Sequence, residues 1–143
     1  MAELHTIVRN YLDSQEWLYQ EKGDKFSLFI QVMDYQLLCY VHVFEETRQV
    51  ILHSIFPIKI PKNKFNTILT LANKVNCETT IGNFELDTEN CDLRYKTSVD
   101  VENVEFTVHT FENLLSANFN VSVENYPQII SIVNQKRKKI TEE

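Results

Sequence analysis

The chain has 143 residues, of which 43% are hydrophobic and 24% charged, and its formal net charge is −6. A chain of this length and composition folds as one domain with its own core, which excludes disordered, collagen-like and disulfide-framework proteins. The acidic balance argues against a general nucleic-acid or anionic-membrane binder, because both need a dense positive surface. The only glycines are Gly23 and Gly82, so the chain has neither a phosphate-binding loop nor a dinucleotide fingerprint.

The cysteines indicate a reducing compartment. Cys39, Cys77 and Cys91 are an odd number at wide spacing without a Cys-x-x-Cys, which favours neither a disulfide framework nor a structural zinc site. The apolar runs are short, and the N-terminus lacks a basic start followed by an apolar stretch. We therefore expect a cytoplasmic protein with no membrane segment and no export signal.

The first half of the chain predicts a helix followed by a three-stranded meander. Apolar side chains in residues 4–12 recur at helical spacing. From Trp17 to Val32 they alternate with polar ones, with a break at Gly23-Asp24, which predicts a strand. Residues 35–44 and 49–56 predict two more strands, joined as an antiparallel hairpin. Pro57 and Pro61 should then end the ladder, because proline has no N–H to donate.

The second half predicts a helix, a hairpin and two further helices. Residues 65–75 regain helical spacing, and residues 84–96 read as two short strands around a polar turn. Two apolar stripes follow, in residues 104–115 and 129–133, with Pro127 near the start of the second. The predicted order is α-β-β-β-α-β-β-α-α. It describes a single α+β domain in which a β-meander and a β-hairpin form an antiparallel five-stranded sheet packed with helices.

A set of short motifs runs through these predicted elements. The motifs are Trp17, Ile60-Pro61, Asn76, Gly82-Asn83-Phe84-Glu85-Leu86-Asp87, Leu93-Arg94-Tyr95-Lys96 and Tyr126-Pro127. With this set the chain resembles the YbjN family, whose fold is that of type III secretion chaperones, as far as about Val133. Glu16-Trp17 stands where a Gly-Trp pair is commoner in that family.

The resemblance implies a YbjN-like domain over residues 1–135, with a type III secretion chaperone-like fold, and a charged C-terminal tail at residues 136–143. It implies binding rather than catalysis. YbjN-like proteins are described as sensory-transduction regulators without an established enzymatic activity, and secretion chaperones are typically dimers that hold extended partner segments on apolar patches. Because one fold hosts many functions, no active site is carried over.

Two histidines are predicted to face each other across the first hairpin. With the turn centred between Thr47 and Arg48, His42 lies opposite His53. Such a pair binds transition metals in some proteins and gains charge near pH 6 in others, but two ligands do not make a metal site. A structural or pH-tuning pair is the favoured interpretation, and we predict no metal and no cofactor.

Three carboxylates, those of Glu85, Asp87 and Glu89, alternate along a later predicted strand. Paired carboxylates hold calcium or perform acid–base chemistry, but here no calcium loop and no convergent base accompany them. Cross-strand ion pairs with Arg94 and Lys96 on a solvated face are the favoured interpretation.

Catalysis and RNA binding are the alternatives to a binding module. A small hydrolase or transferase would use Cys77, Cys91 or the pair of His42 and His53, but the chain lacks the usual hydrolase motifs, so a non-enzyme is favoured. The run Lys136-Arg137-Lys138-Lys139 offers a weak RNA contact. Four cations at a helix C-terminus are more simply explained by the helix dipole and a solvated tail.

The strand at residues 35–44 is apolar on both faces, which is typical of burial between two layers or of a binding surface. The predicted helices suffice for one face, so we assign the other to a protein interface. Its candidate residues are Tyr40, His42, Phe44, Ile51, His53 and Ile55. The sequence thus predicts a non-catalytic, chaperone-like or regulatory module that binds an unidentified protein partner or a second copy of itself. We expect it to bind neither nucleic acid nor membrane.

Overall fold

A computed structural model describes residues 3–135 of the chain. Within them the chain forms three α-helices, six β-strands and a 3₁₀ turn at Lys62–Lys64. In chain order the helices and strands are α1 (Leu4–Ser14), β1 (Tyr19–Lys22), β2 (Lys25–Val32), β3 (Tyr35–Phe44), β4 (Gln49–Lys59), α2 (Phe65–Glu78), β5 (Asn83–Asp87), β6 (Asp92–Asp100) and α3 (Val108–Asn134). The first two predicted helices are confirmed as α1 and α2.

The strands form one antiparallel sheet in the order β1-β2-β3-β4-β6-β5. The α+β class and the antiparallel sheet are confirmed, but the sheet has six strands where five were predicted. The sixth strand is β1. The chain turns back at Gly23, whose φ is +60°, and pairs Tyr19–Lys22 with the start of β2. The alternation from Trp17 to Val32 therefore belongs to two paired strands.

The three helices pack on one face of the sheet and enclose a single core. Along β3, the side chains of Leu37, Cys39, Val41 and Val43 are buried beneath them. Because successive side chains of a strand point to opposite faces, the intervening residues of β3 face away from the helices. No helix of residues 3–135 covers that second face. In the same part of the chain, no helix is both long and apolar enough to cross a membrane.

The C-terminal part of the described chain is one 27-residue helix, α3, where two helices were predicted. Pro127 lies inside it and lacks the N–H of one helical hydrogen bond, a loss that ordinarily kinks or ends a helix. The buried stripe of α3 continues across Pro127, from Phe111 to Ile129, and its packing offsets the missing bond. Val104 lies outside the helix, because Thr107 caps the first turn with its side-chain oxygen.

Asn118 of α3 joins that helix to the middle of the sheet. Its fully buried side-chain amide donates to the carbonyl of Leu52 on β4, at 3.2 Å, and to that of Tyr95 on β6, at 3.0 Å. Its side-chain oxygen accepts a hydrogen bond from the hydroxyl of Ser54. The polar atoms of Asn118 are thus satisfied inside the core.

The turn between β3 and β4 holds the start of α1. This helix has no side-chain cap of its own, so the N–H groups of its first turn need other acceptors. The Glu45 carboxylate accepts hydrogen bonds from the backbone N–H groups of Leu4, at 3.1 Å, and His5, at 2.7 Å. Its negative charge also interacts favourably with the helix dipole.

Asn76 of α2 covers the outer edge of β5. Its side-chain amide donates to the carbonyl of Phe84 at 3.3 Å, and its side-chain oxygen accepts from the Phe84 N–H at 2.7 Å. Backbone groups at the edge of a sheet are otherwise unpaired. A helix side chain therefore pairs both backbone groups of Phe84 at this edge.

β4 is irregular around Pro57. Its pairing with β3 ends at Leu38 and Ile55, and its register with β6 shifts between Ile55 and Lys59. The ladder breaks here as predicted, because Pro57 has no N–H to donate. The strand itself does not stop, however. It resumes pairing with β6 at Lys59 and leaves the sheet only before Pro61.

Candidate functional site

The helix-free face of the sheet, called the open face below, carries all six residues that the sequence predicts as a protein interface. They are Tyr40, His42 and Phe44 on β3, and Ile51, His53 and Ile55 on β4. Each is half-buried, since neighbouring strands flank it while no helix of residues 3–135 covers it. Their use as an interface remains a prediction.

The open face is apolar from the Pro57 end to the β3–β4 turn. Phe29, Leu38 and Ile55 lie in one row across β2, β3 and β4, and Phe29 is 62% exposed. At the other end of β3 the rings of His42 and Phe44 lie 4.0 Å apart. The apolar strip runs along β3 and β4 and reaches one side chain of β2. It consists of Phe29, Leu38, Tyr40, Phe44, Ile51 and Ile55. Exposed strips of this kind are typical of binding surfaces.

The predicted direct opposition of the two histidines is wrong. His42 lies opposite Ile51, and His53 lies opposite Tyr40. The turn has four residues and is centred between Glu46 and Thr47, one position earlier than predicted, which displaces every cross-strand pair by two residues. Because strand side chains repeat with a period of two, both imidazoles remain on the open face.

His53 belongs to a charged group at the side of the apolar strip. Its Nε2 lies 3.3 Å from the Glu85 carboxylate, which also lies 3.7 Å from Arg94 Nε and 3.6 Å from Lys96 Nζ. Burial lowers the pKa of His53 below its usual value, and the positive charge of Arg94 adds to this effect, against the attraction of Glu85. His53 is therefore neutral at pH 7.

The carboxylate series on β5 is resolved into two roles. Glu85 pairs with Arg94 and Lys96, and Asp87 lies 4.0 Å from Arg94, so the predicted cross-strand ion pairs are confirmed. Asp87 also accepts hydrogen bonds from the side-chain amide and the backbone N–H of Asn90 and from the backbone N–H of Glu89 in the following turn, and these lower its pKa. Glu89 therefore lies in the turn, off the strand face on which it was predicted.

The cysteines do not join the histidines of the open face. Cys39 faces the helices and is fully buried, and this burial raises the pKa of its thiol to about 12. Cys77 lies on α2, behind the sheet, and Cys91 lies in the turn between β5 and β6. Within residues 3–135, no three His, Cys, Asp or Glu side chains are grouped to hold a metal ion. The basic run at residues 136–139 lies outside the described residues.

A cleft of about 700 Å³ opens at the Pro57 end of the open face, where β3 and β4 separate. Side chains from both faces of the sheet and from α3 line it, which places it in the gap between the two strands. They are Phe29, Gln31, Asp34, Tyr35, Gln36, Leu38, Ile55, Phe56, Pro57 and Tyr126.

This cleft was not predicted from the sequence. Its local signal is a proline inside a strand, because the missing N–H leaves the neighbouring strand without a partner at that point. The part of the cleft that Tyr126 of α3 lines could not be predicted, since Pro127 directly after it indicated the start of a helix rather than its middle. The spacing of residues also does not show that Tyr126 stacks on Tyr35, 91 positions earlier in the chain.

An antiparallel sheet backed by helices on one face is the fold of the type III secretion chaperone-like class, and this expectation is confirmed. The family model YbjN, described as "Putative bacterial sensory transduction regulator", matches residues 5–130. The chain therefore belongs to the YbjN family. No curated protein sequence matches it.

Three solved structures share the fold. YbjN from E. coli has a TM-score of 0.63 and 12% identity, covering 90% of this chain and 94% of that chain. The HopA1–SchA chaperone–effector complex has a TM-score of 0.60 and 10% identity, covering 84% of this chain and 90% of that chain. The ExsC–ExsE complex has a TM-score of 0.58 and 13% identity, covering 88% of this chain and 96% of that chain. At these identities the likeness establishes the fold alone.

Proposed function

We propose that this protein is a non-catalytic, cytoplasmic interaction module that binds a protein through the open face of its sheet, in a chaperone-like or regulatory role. The bound protein is a partner or a second copy of the chain. One observation carries the proposal: the apolar strip along β3 and β4 lies on a face that no helix of residues 3–135 covers.

The strip has the composition of a binding surface. Tyr40 and Phe44 are large side chains with few rotatable bonds, the kind that supplies much of the energy of protein interfaces. The charged group of Glu85, Arg94 and Lys96 lies beside the strip, as the polar rim lies beside the core of an interface. Each square ångström of apolar surface that a partner covers contributes about 25 cal/mol, from which the entropic cost of association is subtracted.

The comparisons support a protein ligand. One structure of this fold is a chaperone–effector complex, and another is the ExsC–ExsE complex. Because a fold hosts many functions, the argument for this chain rests on its own surface chemistry. That surface offers apolar contact area along two strands, and within residues 3–135 no three His, Cys, Asp or Glu side chains are grouped to hold a metal ion.

The first prediction concerns the double variant Tyr40→Ser/Phe44→Ser. We expect it to fold and to lose a protein that the wild type retains from the native cytoplasm, because two rings of the apolar strip are removed. The measurement is capture on tagged protein followed by mass spectrometry, with circular dichroism of the variant as the test of folding.

The matched control is Leu69→Ser/Val108→Ser. These two apolar side chains are 44% and 43% exposed, but they lie on α2 and α3. The control should retain every protein that the wild type retains. Loss of the same proteins from both double variants would show non-specific adhesion, and unfolding of the Tyr40/Phe44 variant would place those rings in the core. Either result contradicts the proposal.

Sedimentation of the purified chain distinguishes self-association from binding of another protein. If the occupant of the open face is a second copy, the wild type sediments as a dimer and the Tyr40/Phe44 variant as a monomer. A wild-type monomer that also captures no protein would contradict the proposal as a whole.

A further inference from the structure

The cleft at the Pro57 end of the open face contains a ladder of aromatic rings. Tyr35 of β3 stacks on Tyr126 of α3 with ring centroids 3.8 Å apart and planes 20° apart. Phe56 stacks on Tyr126 from a centroid distance of 5.8 Å, with planes only 7° apart. Phe56 is buried, so a ligand can reach only the half-buried tyrosine rings. The face of an aromatic ring carries partial negative charge and attracts a cation placed over it.

The Asp34 carboxylate lies beside these rings. Asp34 is exposed in the turn between β2 and β3, and within residues 3–135 it forms no salt bridge. Burial raises the pKa of the Tyr126 hydroxyl, and the neighbouring charge of Asp34 raises it further. Both effects act on Tyr35 as well. The cleft therefore combines neutral aromatic rings with one carboxylate that lacks a cationic partner among the described residues.

Two glutamines add hydrogen-bond acceptors to the cleft. The side-chain amide of Gln31 donates to the backbone carbonyl of Met33 at 2.9 Å, which leaves the Gln31 side-chain oxygen to accept from a ligand. Gln36 lies opposite Gln31 on β3 and also lines the cleft. Together with the Asp34 carboxylate, these two side-chain oxygens can accept hydrogen bonds from a ligand that carries several N–H groups.

We propose that this cleft binds an arginine side chain that the protein partner presents. The inference rests on the proposed function, since it names the residue by which a partner is anchored at one end of the open face. A guanidinium group is planar and stacks on aromatic rings, and its fork of N–H groups matches a carboxylate such as that of Asp34. Leu38 and Ile55 border both the cleft and the apolar strip, so one extended segment can occupy both.

The proposal is tested with a short peptide rather than with the unknown partner. The blocked tripeptide acetyl-Gly-Arg-Gly-amide is titrated into the full chain labelled with ¹⁵N. In parallel titrations, the arginine of the peptide is replaced by citrulline or by lysine. We expect saturable shifts at the backbone amides of Asp34, Gln36 and Leu38. The arginine peptide should bind about tenfold more tightly than the citrulline peptide, which has the same shape but no charge, with lysine between them.

Asp34→Asn should reduce binding of the arginine peptide to the level of the citrulline peptide. The matched control Glu46→Gln removes the same charge from the turn at the opposite end of β3 and should leave binding unchanged. Gln36→Glu adds a second carboxylate at the cleft and should tighten binding, which gives a gain of function that unfolding cannot imitate. The amide spectrum of each variant reports whether it is folded.

Equal binding of the arginine and citrulline peptides overturns the proposal, as does an Asp34→Asn variant that binds like the wild type. The absence of saturable amide shifts with the arginine peptide overturns it as well.

This failure is separable from failure of the proposed function. If the peptide does not bind but partner capture still depends on Tyr40 and Phe44, only the arginine site is wrong. If the peptide binds but capture is independent of those rings, the open face is wrong.

Discussion

Gly82 is held in a conformation and a space that no other residue fits. Its φ is +88°, and a Cβ atom added to it would lie 2.6 Å from the carbonyl oxygen of Lys96 and 2.7 Å from the ring of Tyr95. The first neighbour is backbone of β6 and cannot move without disturbing the sheet. Gly82→Ala therefore adds both an unfavourable φ and an overlap.

We expect Gly82→Ala to lower the free energy of unfolding by about 3 kcal/mol, as measured by urea denaturation. Gly23→Ala is the matched control. Its φ is +60°, but no atom lies within 4 Å of the added Cβ, so it should cost only about 1 kcal/mol. Equal losses for the two variants would show that the packing around Gly82 does not resist the new atom.

At the scale of the element, the start of α1 depends on a residue that lies 40 positions away, Glu45. Burial by itself raises the pKa of Glu45, but the hydrogen bonds from the amides of His5 and Leu4 and from the His5 side chain outweigh it, so the net pKa is lowered. A carboxyl group with a lowered pKa in the folded state stabilises the fold above its unfolded pKa, which is about 4.3. That contribution is lost as the pH falls through the folded value.

Glu45→Gln should lower the free energy of unfolding by about 1 kcal/mol at neutral pH, because the charge and one strong acceptor are lost at a helix N-terminus. The difference from the wild type should shrink as the pH falls below the unfolded pKa of about 4.3, and close once the carboxylate of the folded protein is protonated as well. Urea denaturation across this pH range measures it. Glu46→Gln in the same turn serves as the control, and a pH-independent difference for Glu45→Gln would contradict the capping role.

At the scale of the whole molecule, Asn118 holds the helix layer and the sheet in one arrangement. Asn118→Ala would leave the carbonyls of Leu52 and Tyr95 and the hydroxyl of Ser54 without their partner inside the core. We expect a loss of about 3 kcal/mol in the free energy of unfolding. Asn120→Ala, an exposed position on the same helix, should change it by less than about 0.5 kcal/mol. Similar losses would mean that this network does not stabilise the fold.

The sequence predicted most elements because burial imposes a period. The stripes of α1 and α2 and the alternation of β3 and β4 each follow from one face meeting the core. The register of the β3–β4 hairpin was predicted one position too late, because hydrophobic pattern alone does not determine which residues form the turn. Arg48 adopts a φ of +56° there, a conformation that could not be predicted from its being an arginine.

Glu16 is a second case of this kind. It ends α1 with a φ of +57°, and the N–H of Trp17 bonds back to the carbonyl of Leu12. This is the left-handed helix ending at which glycine is preferred. The Gly-Trp pair that is commoner in the family therefore has a structural reason, although the sequence treated alone shows only an ordinary glutamate.

The open face was predictable, whereas the cleft at its end was not. An apolar pattern on both faces of β3 indicated a surface beyond what the helices cover, and Tyr40 and Phe44 lie on it. The cleft needs Pro57, Asp34 and Tyr126 together, from a strand, a turn and a helix that only the folded chain brings side by side. Asn118 is polar but buried in the α3 stripe. A stripe of apolar residues alone leaves it out, and for that reason the single helix α3 was predicted as two.

The hydrogen bonds of Asn76 limit how the molecule can assemble. A strand from another copy that approached β5 would need the N–H and carbonyl of Phe84, and both are already committed to Asn76. An incoming strand therefore cannot pair with Phe84 unless it displaces Asn76, which hinders the growth of a continuous intermolecular sheet, the route by which exposed edge strands aggregate. A residue on a helix thus makes one edge of the sheet less accessible to a strand of another copy, independently of what binds to the face of the sheet.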